Sequence, residues 1–170
     1  MDPFMIFLRI VHILFDALWL GGGIFLTFVL GPRLKAIGPP VAGQVFRSVV
    51  PVAAMVFTVS SGLVIATGVT MALKVKWNVL DTFFTSRWGY AILIGFIATV
   101  LAFIIGPLVA KRTADKIVAL LGSMQGGPPT PKQAQELGGL QQRFNRAGIA
   151  TVSLLLVAMG AMSAARFLGA

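Results

Sequence analysis

The sequence contains no cysteine, one histidine and only five acidic residues among 170. Without cysteine there is no disulfide scaffold, no thiolate-held zinc or iron–sulfur centre and no thiol nucleophile. A single histidine rules out a His-rich metal centre, and a haem with two histidine ligands from one chain. Charge is scarce as well: 11% of residues are charged, against about 25% in soluble domains. So little charge cannot coat a soluble globule of this size. Walker loops, dinucleotide-binding glycine turns, paired-histidine zinc helices and Ser/His/Asp sets are all missing.

What is present is apolar. Hydrophobic residues make up 57% of the chain, and the mean hydropathy is +0.91. A membrane helix needs about 20 mostly apolar residues. Four stretches qualify, at about 4–30, 49–73, 88–110 and 149–168. The fold class is therefore all-α, a polytopic membrane protein built as an antiparallel four-helix bundle in a lipid bilayer. The first stretch is interrupted by Arg9, His12 and Asp16 and is followed by no A-x-A site, so it reads as a retained span and not as a cleaved signal peptide.

Lys and Arg outnumber Asp and Glu 14 to 5, for a net charge of +9. These cations sit between the apolar runs, which argues for topology and against nucleic acid. Arg9, Lys74, Lys76, Arg87 and Arg166 fall on the side of the termini. Arg33, Lys35, Arg47, Lys111, Arg112, Lys116, Lys132, Arg143 and Arg146 fall on the other. Nine against five points to the second side as cytoplasmic, with both termini on the outer or periplasmic side of a bacterial inner membrane.

The connection from Lys111 to Arg146 carries helical patterns on either side of Gly126-Gly127-Pro128-Pro129. Thr130 can cap the second of these, with Pro131 at its first position. A helical hairpin between the third and fourth spans should therefore project into the cytoplasm. Gly38-Pro39-Pro40 marks a shorter turn, with Val41–Ser48 opening the second helix.

Helices in lipid meet through small residues. Three small-residue stripes suggest inward faces: Ala54, Thr58, Ser61 and Gly68; Gly95, Thr99, Ala102 and Gly106; Ser153, Gly160 and Ala164. Such faces can serve close packing or leave room for a flat cofactor. Gly21-Gly22-Gly23 reads as a close-approach site within the first span.

That span holds the candidate site. At about 100° per residue, Arg9, His12, Asp16, Trp19, Gly23 and Thr27 fall on one face. A charged side chain at mid-bilayer costs about 2.5–3.5 kcal/mol on insertion scales, so such residues normally face the bundle interior. Asp16 is placed to orient one ring nitrogen of His12 and leave the other free as a ligand. Arg9 could pair with Asp16 or with an anionic group. Met159 and Met162 lie at a matching depth on the last span, and a thioether can ligate Cu(I) or haem iron. In the outer loop, Lys74, Lys76 and Arg87 could meet haem propionates or lipid phosphates, and Trp77 and Trp88 suit the membrane interface.

His12-x6-Trp19-x-Gly21-Gly22, followed by Gly31-Pro32-Arg33, resembles the first helix of the CopD-like copper-resistance membrane proteins. HemJ-type protoporphyrinogen oxidases are similar in their His, Trp and Gly spacing, and Arg143-x-Asn145-Arg146 resembles the start of one of their late helices. The Tyr and Arg of that second family give way here to Phe25, Phe28 and the later Arg33. The resemblance implies a redox or metal-handling role: copper handling in the first family, haem b-dependent oxidation in the second. In either case His12 would be the ligand and Trp19 would pack around the group. One His with one Met suffices for haem b, whereas copper usually takes three or four donors. Two non-catalytic readings stand beside these. One is an accessory subunit of a homo-oligomer or larger membrane complex, and the other is an ion carrier using Arg9, His12 and Asp16.

Overall fold

A computed structural model describes residues 2–76, 84–124 and 129–168. Helix α1 spans Pro3–Ile24. The Asp2 carboxylate accepts from the Phe4 N–H at 2.9 Å and caps the helix, with Pro3 in the first turn, where a missing N–H is harmless. The helix runs on through a π-helical stretch, Phe25–Leu30, into α2, Gly31–Ile37. Gly38 takes φ 94°, which glycine adopts without strain, and turns the chain back. Helix α3 follows, Pro39–Lys76, with Pro51 inside it.

Ser86 caps α4, Arg87–Ile105, accepting from the Gly89 N–H at 3.0 Å. A second π-helical stretch, Gly106–Lys111, leads into α5, Arg112–Ser123. Thr130 and Gln133 then form the reciprocal capping box that starts α6, Pro131–Ala165, with Pro131 in its first turn. Of the Gly126-Gly127-Pro128-Pro129 break, residues 126–128 lie outside the described residues.

Four of these helical runs, Pro3–Leu34, Val41–Lys74, Arg87–Ser123 and Pro131–Ala165, are long and apolar enough to cross a membrane. Their outward surfaces are apolar too. Phe7, Leu14, Val52 and Met55 are each 60–71% exposed, a surface suited to lipid tails and not to water. The protein is an all-α, four-helix membrane bundle.

Helices α1 and α3 pair, as do α4 and α6, and α1 touches α6 between the pairs. Each contact is antiparallel. His12 meets Thr67 and Gly68, while Gly22 meets Phe57. Gly23 meets Val152 and Thr27 meets Gly148. One core, Trp19, Leu20, Ala102, Val152 and Leu155, lies where α1, α4 and α6 converge.

One expectation gains detail and one changes. In the hairpin, α5 and the first part of α6 pack back on α2 and the start of α3. There Leu34, Ala42, Phe46, Ile117 and Leu137 form a second apolar core, and Phe46 meets Phe144 edge-on at 5.6 Å. The hairpin helices are amphipathic, and folding back is how they bury their apolar sides. On α6, Ser153, Gly160 and Ala164 face outward, not inward. The packed face is Ala147, Val152, Leu155, Ala158 and Ala165. Val152 and Leu155 enter the shared core, and that fixes the rotation of the helix and turns the glycine stripe to the lipid.

Candidate functional site

Helix periodicity does put most of the polar face of α1 against the bundle. Trp19 is 4% exposed, and His12 and Asp16 are half-buried. Arg9 is exposed, and it makes no ion pair among the described residues. It lies near the outer end of the helix. An arginine there can reach the interface along its aliphatic stem.

His12 is held by α3. Its Nδ1 lies 3.0 Å from Thr67 Oγ1. The single Thr67 hydroxyl proton is directed to its own helix, at 2.6 Å from the Leu63 carbonyl oxygen. With that proton on Leu63, Thr67 accepts from Nδ1–H, which is one of the two ring tautomers that the 3.0 Å contact allows. In that tautomer Nε2 carries the lone pair. Gly68 makes room for the ring, since a Cβ there would stand 3.0 Å from His12 Cε1. The orienting partner is thus Thr67, not Asp16, which makes no hydrogen bond among the described residues. Thr67 was hidden in the sequence because the choice of partner depends on which helices pair.

The methionines follow depth but not direction. The α1–α6 register sets Met159 level with Asp16, and Met162 about one residue from the level of His12. Yet Met159 is 43% exposed, and Met162 lies on Gly95, in the contact between α4 and α6. His12 belongs to the other helix pair. No group of three or more His, Asp or Glu side chains able to hold a metal ion occurs among the described residues.

Towards the hairpin end lies a second feature, an apolar cleft of about 120 Å³ between the two helix pairs. Trp19 and Phe57 line it, with Ala54, Thr58 and Ser61 of the α3 small-residue stripe and Gly106 of the α4 stripe. The small residues here leave space open where a larger side chain would close it. Both π-helical stretches border the cleft, through Leu26 and Thr27 on one and Gly106 and Lys111 on the other. The dipeptides Gly31-Pro32 and Gly106-Pro107 were the available signals for these irregularities.

At the terminal end, Lys74 Nζ sits 3.0 Å from Asp2 Oδ2 and 4.6 Å from the centre of the Phe4 ring. The hydrogen bond from Lys74 holds the Asp2 carboxyl below its ordinary range, helped by the Phe4 N–H. That pair ties residue 2 to the end of α3. Arg87 is exposed. The Lys76 side chain and Trp77 lie outside the described residues.

Comparison with known proteins adds a family and no function. No curated protein and no solved structure matches the chain. Residues 14–117 match a family model that takes in most of the α1 polar face, all of α3 and α4, and the start of α5. That span covers more than half of the sequence, and the chain belongs to the family described as Domain of unknown function (DUF4149).

Proposed function

We propose that this chain is a membrane redox or metal-handling protein whose working group is His12, in the sense implied by the CopD-like resemblance. The observation that carries the reading is the contact of His12 Nδ1 with Thr67 Oγ1 at 3.0 Å. In the tautomer in which Nδ1–H donates, Nε2 is a lone-pair donor inside a membrane helix, the arrangement a metal-ligating imidazole requires.

The donor set fits haem b better than copper. A haem iron can be carried by one axial imidazole, whereas a copper site asks for more donors than His12 supplies from this face. His12 would hold such a haem through Nε2, with Thr67 and Gly68 fixing the ring, and the haem would supply one-electron chemistry. Any further ligand would come from a second copy or a larger membrane complex, since Met159 and Met162 are turned elsewhere. Nine Lys and Arg at the hairpin end support that end as cytoplasmic, with both termini on the outer face of a bacterial plasma membrane.

The test is the optical spectrum of the purified protein before and after dithionite. A Soret band that shifts on reduction, and that is weakened or moved by Thr67→Val, is the expected result. Absence of both haem and copper from well-folded protein isolated from its native membrane would overturn the reading.

A further inference from the structure

The cleft at the hairpin end has a job separate from His12, which does not line it. Two helices become irregular at its walls, and a third carries a proline there. The α1–α2 run is π-helical at Leu26 and Thr27, and the α4–α5 run is π-helical at Gly106 and Lys111. Helix α3 carries Pro51 between the cleft residues Val50 and Ala53, which removes one backbone hydrogen bond. π-helical turns are uncommon and concentrate at functional sites. Two of them border this one cavity, beside a proline.

The wall is apolar and holds one orphan: Thr151 Oγ1 is buried and has no hydrogen-bond partner. A buried hydroxyl without a partner costs about 1–3 kcal/mol. The position of the cleft identifies what can reach it. It is the seam between the α1–α3 pair and the α4–α6 pair, and Thr58 and Lys111 on its rim are exposed. In a membrane bundle such a seam meets lipid tails. At its rim stands Lys111, whose amino group is half-exposed and paired with Asp115 at 2.9 Å. Around this end the sequence places nine Lys and Arg against two carboxylates, Asp115 and Glu136. Anionic headgroups collect at such a surface.

We propose that this seam binds an anionic phospholipid, an acyl chain entering between the helix pairs and the headgroup phosphate resting on Lys111. A cavity of about 150 Å³ is enough for benzene, so about 120 Å³ admits a short run of chain carbons.

Trp19 provides the assay, because it lines the cleft and is otherwise shielded from lipid at 4% exposure. With Trp77 and Trp88 replaced by Phe, the protein is reconstituted in vesicles of dibrominated phosphatidylglycerol or dibrominated phosphatidylcholine. Bromine at the chain quenches Trp19 on contact. Quenching should be stronger in phosphatidylglycerol, by up to about fivefold in occupancy for one lysine at an anionic surface. Lys111→Gln should abolish the preference. Gly106→Leu should suppress quenching in both lipids, since a Cβ at Gly106 meets nothing within 4 Å and the new side chain has room to fill the space. Thr58→Leu fills it from the opposite wall and stands in if Gly106→Leu fails to fold. Equal quenching in the two lipids, or quenching that survives a filled cleft, would overturn the proposal.

Discussion

The three adjacent glycines of α1 allow the helix rotation to be tested one residue at a time. An added Cβ at Gly22 would lie 2.6 Å from Phe57 Cε1 and 2.9 Å from Cζ. Carbon atoms pack at about 3.5–4.0 Å, so the overlap is roughly 1 Å. Phe57 packs on the Trp19 core and can yield only partly, towards the cleft. Overpacking of this kind costs about 1–3 kcal/mol. Alanine returns about 1 kcal/mol of helix propensity, leaving Gly22→Ala destabilising by up to about 2 kcal/mol. At Gly21 a Cβ meets nothing within 4 Å, so Gly21→Ala keeps the whole propensity gain of about 1 kcal/mol. At Gly23 the Cβ would sit 3.4 Å from Val152 Cγ2, the near limit of ordinary contact, so Gly23→Ala keeps part of the propensity gain and falls between the other two. The spread between Gly21→Ala and Gly22→Ala is therefore about 1–3 kcal/mol, or roughly 5- to 150-fold in the unfolding constant. Unfolding by increasing SDS fraction in mixed micelles, followed by helical circular dichroism, measures it. If Gly21→Ala proves the most damaging of the three, α1 is rotated by about one residue, 100°, and the placement of His12 against Thr67 falls with it.

Two further outcomes follow from the same packing. Ile117 is fully buried in the second core, so Ile117→Ala should destabilise the hairpin by about 2–5 kcal/mol. Hydrogen exchange should show this as faster opening of α5 with the amides around His12 unchanged, and uniform loosening would contradict a separate core. Asp2 is held below its ordinary carboxylate value of 3.8 by Lys74. Its contribution is therefore complete above that value and is lost as pH falls through the lowered one. An NMR titration of the Asp2 carboxyl should place its midpoint below 3.8 and move it up in Lys74→Gln, and an unmoved midpoint would refute the pairing.

Features that depend on one helix at a time were legible in the sequence. Span length and hydropathy locate the four crossings, Thr130-Pro131 marks the start of α6, and 3.6-residue periodicity turns His12, Asp16 and Trp19 inward together. Features that depend on two helices were not. Whether Asp16 or Thr67 orients His12 is settled by the pairing of α1 with α3, and no spacing within α1 encodes that. Arg9 shares the angular face of His12 yet is exposed, and the angle within α1 does not tell the two apart. Met159 and Met162 show the same limit: depth follows from counting residues, while direction follows from Val152 and Leu155 locking the rotation of α6. The small-residue stripes were ambiguous for a related reason. Gly95 and Ala102 accept close neighbours, Gly106 borders open space, and Gly160 faces the lipid, although all four look alike in sequence.

The bundle therefore divides its constraints by depth. At the level of His12, Gly68 makes room for the half-buried ring and Thr67 bonds its Nδ1. A few turns deeper, past the Gly22–Phe57 contact, the same two helices open onto a seam flanked by π-helical turns. Helix α1 takes part in both features, and Trp19 borders both the Trp19–Val152 core and the cleft. A ligand wedged between the helix pairs would press on that core, and α1 is the direct backbone path from there to His12. If α1 transmits that pressure, an acyl chain in the seam should alter the bond between His12 and Thr67 without touching either residue. The imidazole ¹⁵N shifts of His12 in wild type and in Gly106→Leu would report it: a difference between the two links the sites through α1, and identical shifts make them independent.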